Sequence, residues 1–168
     1  TVPFVLLFIG KQMHRYLEKP FWTTQSIVIF LLSLWLVVDT VLYYPQYIAY
    51  FNNFVPKAER YKYMTDSSLD WGQDLLRLKD YVDNNNIDSI KVDYFGGSVP
   101  DYYIPQSVEW HSSYGPTTGW LAISATYYQS SKLYGEKEGK WSYGWLDNYK
   151  PTAEIGGSIL VFHITSKD

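Results

Sequence analysis

The chain has 168 residues, 46% hydrophobic and 18% charged, with a formal net charge of -3. This balance belongs to one folded domain of ordinary size with an appendage, and it excludes a disordered chain. The net negative charge and the lack of any Lys or Arg run argue against a nucleic-acid partner. The chain has no Cys, so disulfides, thiolate nucleophiles and Cys-based zinc sites are excluded.

The first residues run straight into the apolar stretch Pro3 to Gly10, which has no basic residues before it and is too short to cross a bilayer. Residues 1–20 read as the tail of a preceding membrane segment and a short loop; a processed terminus or a short buried helix would look the same. Residues 21–44 are the transmembrane candidate. Their apolar core spans Ile27 to Val38, and Phe21-Trp22 and Tyr43-Tyr44 place aromatic rings at both ends, as membrane interfaces favour. Asp39 is the discordant residue, read as reaching the headgroup region, with a polar contact inside the membrane as the other reading. Lys11, Arg15 and Lys19 before the span balance Lys57, Arg60 and Lys62 after it, so charge counting leaves orientation open.

Residues 45–65 form an interfacial segment, with apolar and aromatic residues at helical spacing from Pro45 to Phe54 predicting a helix on the membrane surface. The soluble domain covers 66–168. It begins with Asp66-Ser-Ser-Leu-Asp-Trp-Gly-Gln-Asp-Leu75, where Ser67 and Asp70 have the spacing of a capping box. Trp71, Leu75, Leu78 and Val82 then predict an amphipathic helix over about 73–84 with Trp71 and Leu75 turned into the core, stopped by Asn84-Asn-Asn86.

Alternation over Ser89 to Phe95 predicts a half-buried strand, with Ile90, Val92 and Tyr94 on one side and Lys91 and Asp93 on the other. Trp120 to Ile123 is a short strand; Ser124 caps a helix over about 125–134 that ends at Gly135. Ser158 to Ile164 is a continuous apolar run, as in a central strand covered on both faces. Residues 98–118 and 135–155 read as long loops. The fold class is therefore one transmembrane helix followed by a small α/β or α+β domain with a short sheet and two main helices.

Asp66, Asp70 and Asp74 are spaced four apart, so on a continuous helix they would share a face. A hard divalent cation is the ligand such carboxylates would take, while capping and the helix dipole explain Asp at a helix start without any metal. The second constellation is aromatic: 17 Tyr, 7 Trp and 8 Phe crowd the later loops. Tyr102, Tyr103, Trp110, Trp120, Trp141 and Trp145 are the candidate contacts for a glycan or a protein partner, since a ring face can stack on a sugar; a small aromatic core is the competing reading. His14, His111 and His163 lie far apart and read as satisfied or surface histidines. No catalytic motif and no cofactor motif is identifiable.

Five ordered pieces carry a resemblance. They are Pro45-Gln-Tyr-Ile-Ala-Tyr-Phe-Asn52, the decapeptide at 66–75, Tyr94-Phe-Gly96 with Pro100-Asp-Tyr-Tyr103, Gly119-Trp-Leu-Ala-Ile-Ser124, and Trp145-Leu with Pro151 to Ile159. Together they resemble the C-terminal region of bacterial polyprenyl-phosphate-dependent membrane glycosyltransferases of the protein-mannosyltransferase-like class. Ser68 departs from the pattern, where Asn is expected. The resemblance implies an extracytoplasmic, periplasmic or outward-facing domain behind the last transmembrane helix, with the catalytic core elsewhere and no residue here catalytic by carry-over. Its expected partners are membrane lipid, a lipid-linked glycan and other membrane protein segments or subunits. The other reading is a non-catalytic accessory subunit, anchored by one helix in a larger membrane complex and acting through protein contacts.

Overall fold

The computed structural model describes residues 2–165, apart from residues 19, 21, 66–67 and 136–141. The chain divides into two compact units, residues 1–45 and 46–168.

The first unit is helical. α1 (Val2–Leu17) carries exposed apolar side chains through its N-terminal half and a His14 to Glu18 pair at 3.3 Å near its end. α2 (Thr24–Leu42) starts where Thr23 Oγ1 accepts the Ser26 N–H at 3.3 Å, one of the donors that a first turn leaves open. Its 19 residues rise about 28 Å, and none of its side chains is buried. A helix that long and apolar could cross a membrane. It starts later than the aromatic pair at 21–22, and Asp39 sits in its last turn.

The second unit is a mixed five-stranded sheet with helices on both faces. Its strands are β1 (Ile90–Asp93), β2 (Ser107–Glu109), β3 (Gly119–Ser124), β4 (Ala153–Ile155) and β5 (Ile159–Ile164), in the order β2-β1-β3-β5-β4. β1 pairs in parallel with both β2 and β3, whereas β5 runs antiparallel to β3 and β4. Period-two alternation builds two cores. Leu121, Ile123, Leu160 and Phe162 face one side, where they meet Tyr128, Tyr143 and Leu146. Ala122, Ile159 and Val161 face the other, with Ile90 and Val92, against Leu75, Leu78 and Val82 of α3 (Leu75–Asn84). Each such aliphatic side chain, fully buried, contributes roughly 1.5–3 kcal/mol.

Several sequence expectations change. The two stretches read as loops contain structure: α4 (Pro100–Tyr103) and β2 lie in the first, and a 3-10 turn (Tyr143–Asn148) and β4 in the second. Strands of three residues are too short to show a period. The helix expected at 45–54 is absent, since residues 46–54 form turns and extended chain, and a 3-10 helix follows at Lys57–Lys62. The helical spacing there does not correspond to one buried face, since Tyr47, Ile48, Tyr50 and Phe54 are exposed and Ala49 is buried. α5 (Ala125–Ser130) gives way to a wider turn at Ser131–Gly135, and Ser124 makes no cap bond. Its hydroxyl accepts the Phe95 N–H at 2.8 Å instead, joining the ends of β1 and β3.

The decapeptide differs most. Trp71 is 66% exposed rather than in the core, and Leu69 takes the buried place. The helix begins at Leu75, and Asp74, at its N-cap position, makes no capping bond. Asp70 and Asp74 are both fully buried, and Ser67 lies outside the described residues. Asp74 Oδ2 accepts from Ser158 Oγ at 2.7 Å, and Asp74 pairs with Arg77. Gly156 (φ +64°) passes so close that a Cβ would overlap the Asp74 carboxyl.

Gly156→Ala should therefore lower stability by more than about 2 kcal/mol, since a positive φ and a displaced buried carboxylate act together. Gly97→Ala, where a Cβ meets nothing within 4 Å, should change it by less than about 0.5 kcal/mol. Urea unfolding of the two variants would check the difference.

Candidate functional site

The parallel half of the sheet points to its own binding edge. From β1 the chain crosses through α4 to β2 on one flank, and the next strand, β3, lies on the other flank. In open α/β sheets the crevice at the carboxyl ends of strands around such a reversal is where ligands enter. A cavity of about 420 Å3 opens there, lined among others by Asp93, Tyr94, Asp101, Glu109, Trp110, His111 and Tyr127.

β1 delivers Asp93 to the floor of this cavity. Its neighbours Ile90 and Val92 turn toward α3, so the alternation sends Lys91 and Asp93 to the opposite face. Asp93 is only 5% exposed, and its Oδ2 accepts the Tyr143 hydroxyl at 2.7 Å. Its Oδ1 lies 3.7 Å from His111 Nδ1, and His111 Nε2 lies 3.1 Å from Glu109 Oε1. A line of four groups thus runs from a buried phenol, through a buried carboxylate and a half-exposed imidazole, to an exposed carboxylate. Burial pushes the Asp93 carboxyl up to about 6, while the Tyr143 bond and His111 pull it down. Burial also raises Tyr143, and the Asp93 charge and hydrogen bond push it the same way, so it remains a donor.

The aromatic walls come from three segments. Trp110 follows β2, meets Tyr114 edge-on at 5.4 Å, and has Lys91 Nζ 5.3 Å from its ring centroid. Its Nε1 is buried with no hydrogen-bond partner among the described residues. Tyr127 comes from α5 and meets Phe95 edge-on at 5.6 Å. Tyr94 crosses to the decapeptide, donating its hydroxyl to Gly72 O at 2.7 Å. Gly72 (φ +77°) has no room for a side chain against that phenol.

Behind this wall lies Asp70, with Oδ1 accepting the Gly72 N–H at 2.9 Å. Its Oδ2 has no hydrogen-bond partner among the described residues. Burial raises its carboxyl to about 6, opposed first by the Gly72 N–H. Among the described residues, no three His, Asp or Glu side chains are grouped as metal ligands; Asp66 lies outside them.

The six aromatic candidates separate. Trp110 lines the cavity, and Tyr102 and Tyr103 border a shallower adjoining hollow of about 570 Å3, edge-on to each other at 5.0 Å. Trp120 is elsewhere, stacked on His163 at 4.3 Å and edge-on to Tyr81 at 6.4 Å. Trp145 packs on the core and meets Tyr149 at 6.0 Å, and Trp141 lies outside the described residues. Sequence reading passed over Asp93, taken as the wet side of a strand, and His111, taken as a surface histidine. The usable signal was Glu109-Trp110-His111 just beyond a strand end.

Comparison with protein-family models, with curated proteins and with solved structures finds no match to this chain. Three carboxylates, one imidazole and three ring faces offer hydrogen-bond acceptors and flat apolar surface together, which suits a hydroxylated ring.

The raised carboxyls set a pH dependence. Asp70 and Asp93 have folded pKa values near 6 against an ordinary 3.8, so the folded state binds more protons between those limits. Their charge costs stability above pH 6, and that cost is relieved as the pH falls through 6 toward 4. It is on the order of 3 kcal/mol per group at most, at 1.4 kcal/mol per unit. The chain should resist urea better at pH 5 than at pH 7.5, and Asp93→Asn should flatten this difference. Tyr143→Phe removes the donor that pulls Asp93 down, so the Asp93 carbon resonance should titrate at higher pH by carboxyl NMR.

Proposed function

We propose that this chain is a membrane-anchored, extracytoplasmic α/β domain that binds a sugar-bearing ligand in the cleft at the end of β1. The observation that supports this most is the cleft itself, where the buried Asp93, the half-exposed His111 and the exposed Glu109 stand beside Trp110 and Tyr127. Carboxylates accept hydroxyl protons and the rings cover the apolar face of a pyranose, the division of labour that a sugar site needs.

The anchor is α2. Only residues 43–45 join it to the second unit, so a ligand carried on a membrane lipid would be held at high effective concentration. The orientation we infer places the second unit on the extracytoplasmic side, as the likeness implies, and the basic residues around the span are consistent with it. Of the three basic residues after the span, Arg60 is only 5% exposed, folded into the domain, and Lys62 lies 3.8 Å from Glu59. Lys11, Arg15 and Lys19 all precede the span in sequence, and with Arg60 folded away the positive-inside rule favours a cytoplasmic N-terminal side. This arrangement is the one implied by the likeness to lipid-linked-sugar glycosyltransferases, where such a domain would hold donor or acceptor for a catalytic core that this chain does not supply.

Two measurements test the reading. Because the chain has no Cys, Ser113→Cys and Lys11→Cys give single labels. An impermeant maleimide should modify Ser113→Cys in intact cells and leave Lys11→Cys unmodified, and the reverse pattern would overturn the orientation. In nanodiscs, the protein should bind a polyprenyl-phosphate-linked hexose in preference to the bare polyprenyl phosphate. Trp110→Ala should weaken that binding about tenfold, equivalent to about 1.4 kcal/mol. Equal binding of the two lipids would sink the sugar reading.

A further inference from the structure

A second opening, about 670 Å3, lies along another side of α5 and shares no lining residue with the β1-end cleft. Consecutive residues divide them, Tyr127 lining one and Tyr128 the other. The second opening runs between the 3-10 turn at 57–62, α5 with its extension, the 3-10 turn at 143–148 and β4. Its volume lies within the range of about 300–1,000 Å3 typical of small-molecule sites.

Its floor is aromatic and firmly held. Tyr128 is 5% exposed, donates to Asp147 Oδ1 at 2.7 Å, and meets Tyr61 edge-on at 5.8 Å. Lys132 Nζ bonds the same Asp147 oxygen at 2.6 Å and stands 5.1 Å from the Tyr128 ring centroid. Gln129 Nε2 donates to Tyr61 O at 2.9 Å, fixing its amide with the oxygen still to be used. Tyr149 completes the ring surface.

The charges on the lining cancel: Lys62, Lys132 and Lys150 stand with Glu59, Asp147 and Glu154. A net-charged ligand therefore gains little from the summed field. What the lining leaves open is hydrogen bonding. Among the described residues, the Lys150 ammonium has no ion pair and the Glu154 carboxylate has no hydrogen bond. Burial raises the Glu154 carboxyl, against the pull of Arg60. An ammonium donor and a carboxyl acceptor on one aromatic lining match a ligand that both donates and accepts at every position, and an uncharged polyol does so.

We propose that this opening is a second saccharide site, distinct from the β1-end cleft and selective for a neutral sugar ring. Tyr149 offers ring surface to its apolar face, the buried Tyr128 closes the floor beneath, and Glu154, Gln129 and Lys150 take its hydroxyls. The proposal does not depend on what the β1-end cleft binds.

The test uses the full chain in detergent micelles, titrated with mannotriose, maltotriose and galactotriose, with glucose 6-phosphate and glucosamine as charged comparators. Calorimetry and saturation-transfer NMR read the affinity. At least one neutral trisaccharide should bind in the millimolar range, more tightly than either charged sugar. In the Trp110→Ala background, which removes the ring of the first cleft, Glu154→Gln and Lys150→Ala, at sites that leave the core untouched, should each weaken it at least threefold. Absence of binding by all three trisaccharides would overturn the proposal. So would a preference for a charged sugar, or binding lost in Trp110→Ala but kept in Glu154→Gln, which would assign the sugar to the first cleft.

Discussion

The second unit depends on keeping two carboxylates, Asp70 and Asp74, out of water at the end of its sheet. A buried carboxylate without partners costs several kcal/mol, so everything around these two is arranged to hold them. Asp74 is held by Ser158 from the start of β5 and by Arg77 from the first turn of α3. Asp70 takes the Gly72 N–H, and Gly72 in turn accepts Tyr94 from the end of β1. The decapeptide is thus a clasp that ties the helix, the parallel strands and the antiparallel strands at one edge.

That clasp explains why the β1-end cleft lies where it does. The carboxyl ends of parallel strands collect polar backbone and side chains, and here the clasp closes the wall behind Tyr94 while leaving the crevice above Asp93 open. Polar burial of this kind reduces stability, as the raised carboxyls of Asp70 and Asp93 record. Proteins keep such costs mainly where binding or chemistry uses them. Asp93 combines such a buried charge with a place on the cavity wall.

Much of the architecture was visible in the sequence. The period of 3.6 at Leu75, Leu78 and Val82 and the period of two at Ile90 and Val92 identify α3 and β1, because both elements bury one face. The apolar run at 159–164 reveals β5 because that strand is covered on both faces. β2 and β4 were hidden, since three residues carry no measurable period and their place is set by pairing with distant strands. The decapeptide misled for a related reason. Asp70 and Asp74 look like helix punctuation locally, and only Ser158, 84 residues later, and the end of β1 reveal them as buried. Of the site, the Trp110 ring was legible as an exposed-type aromatic, but the Asp93 and His111 pairing arises from a parallel crossover that no local pattern encodes.

The Asp74 to Ser158 bond also orders events in time. β3 stands between β1 and β5, and β5 is formed from residues 159–164, so the sheet stays open on that flank until they are made. During synthesis, then, the decapeptide and its carboxylates emerge long before the hydroxyl that secures them. Until then Asp74 has the neighbouring Arg77 as a local partner, and the seating of its carboxylate against β5 waits on residues 158–164.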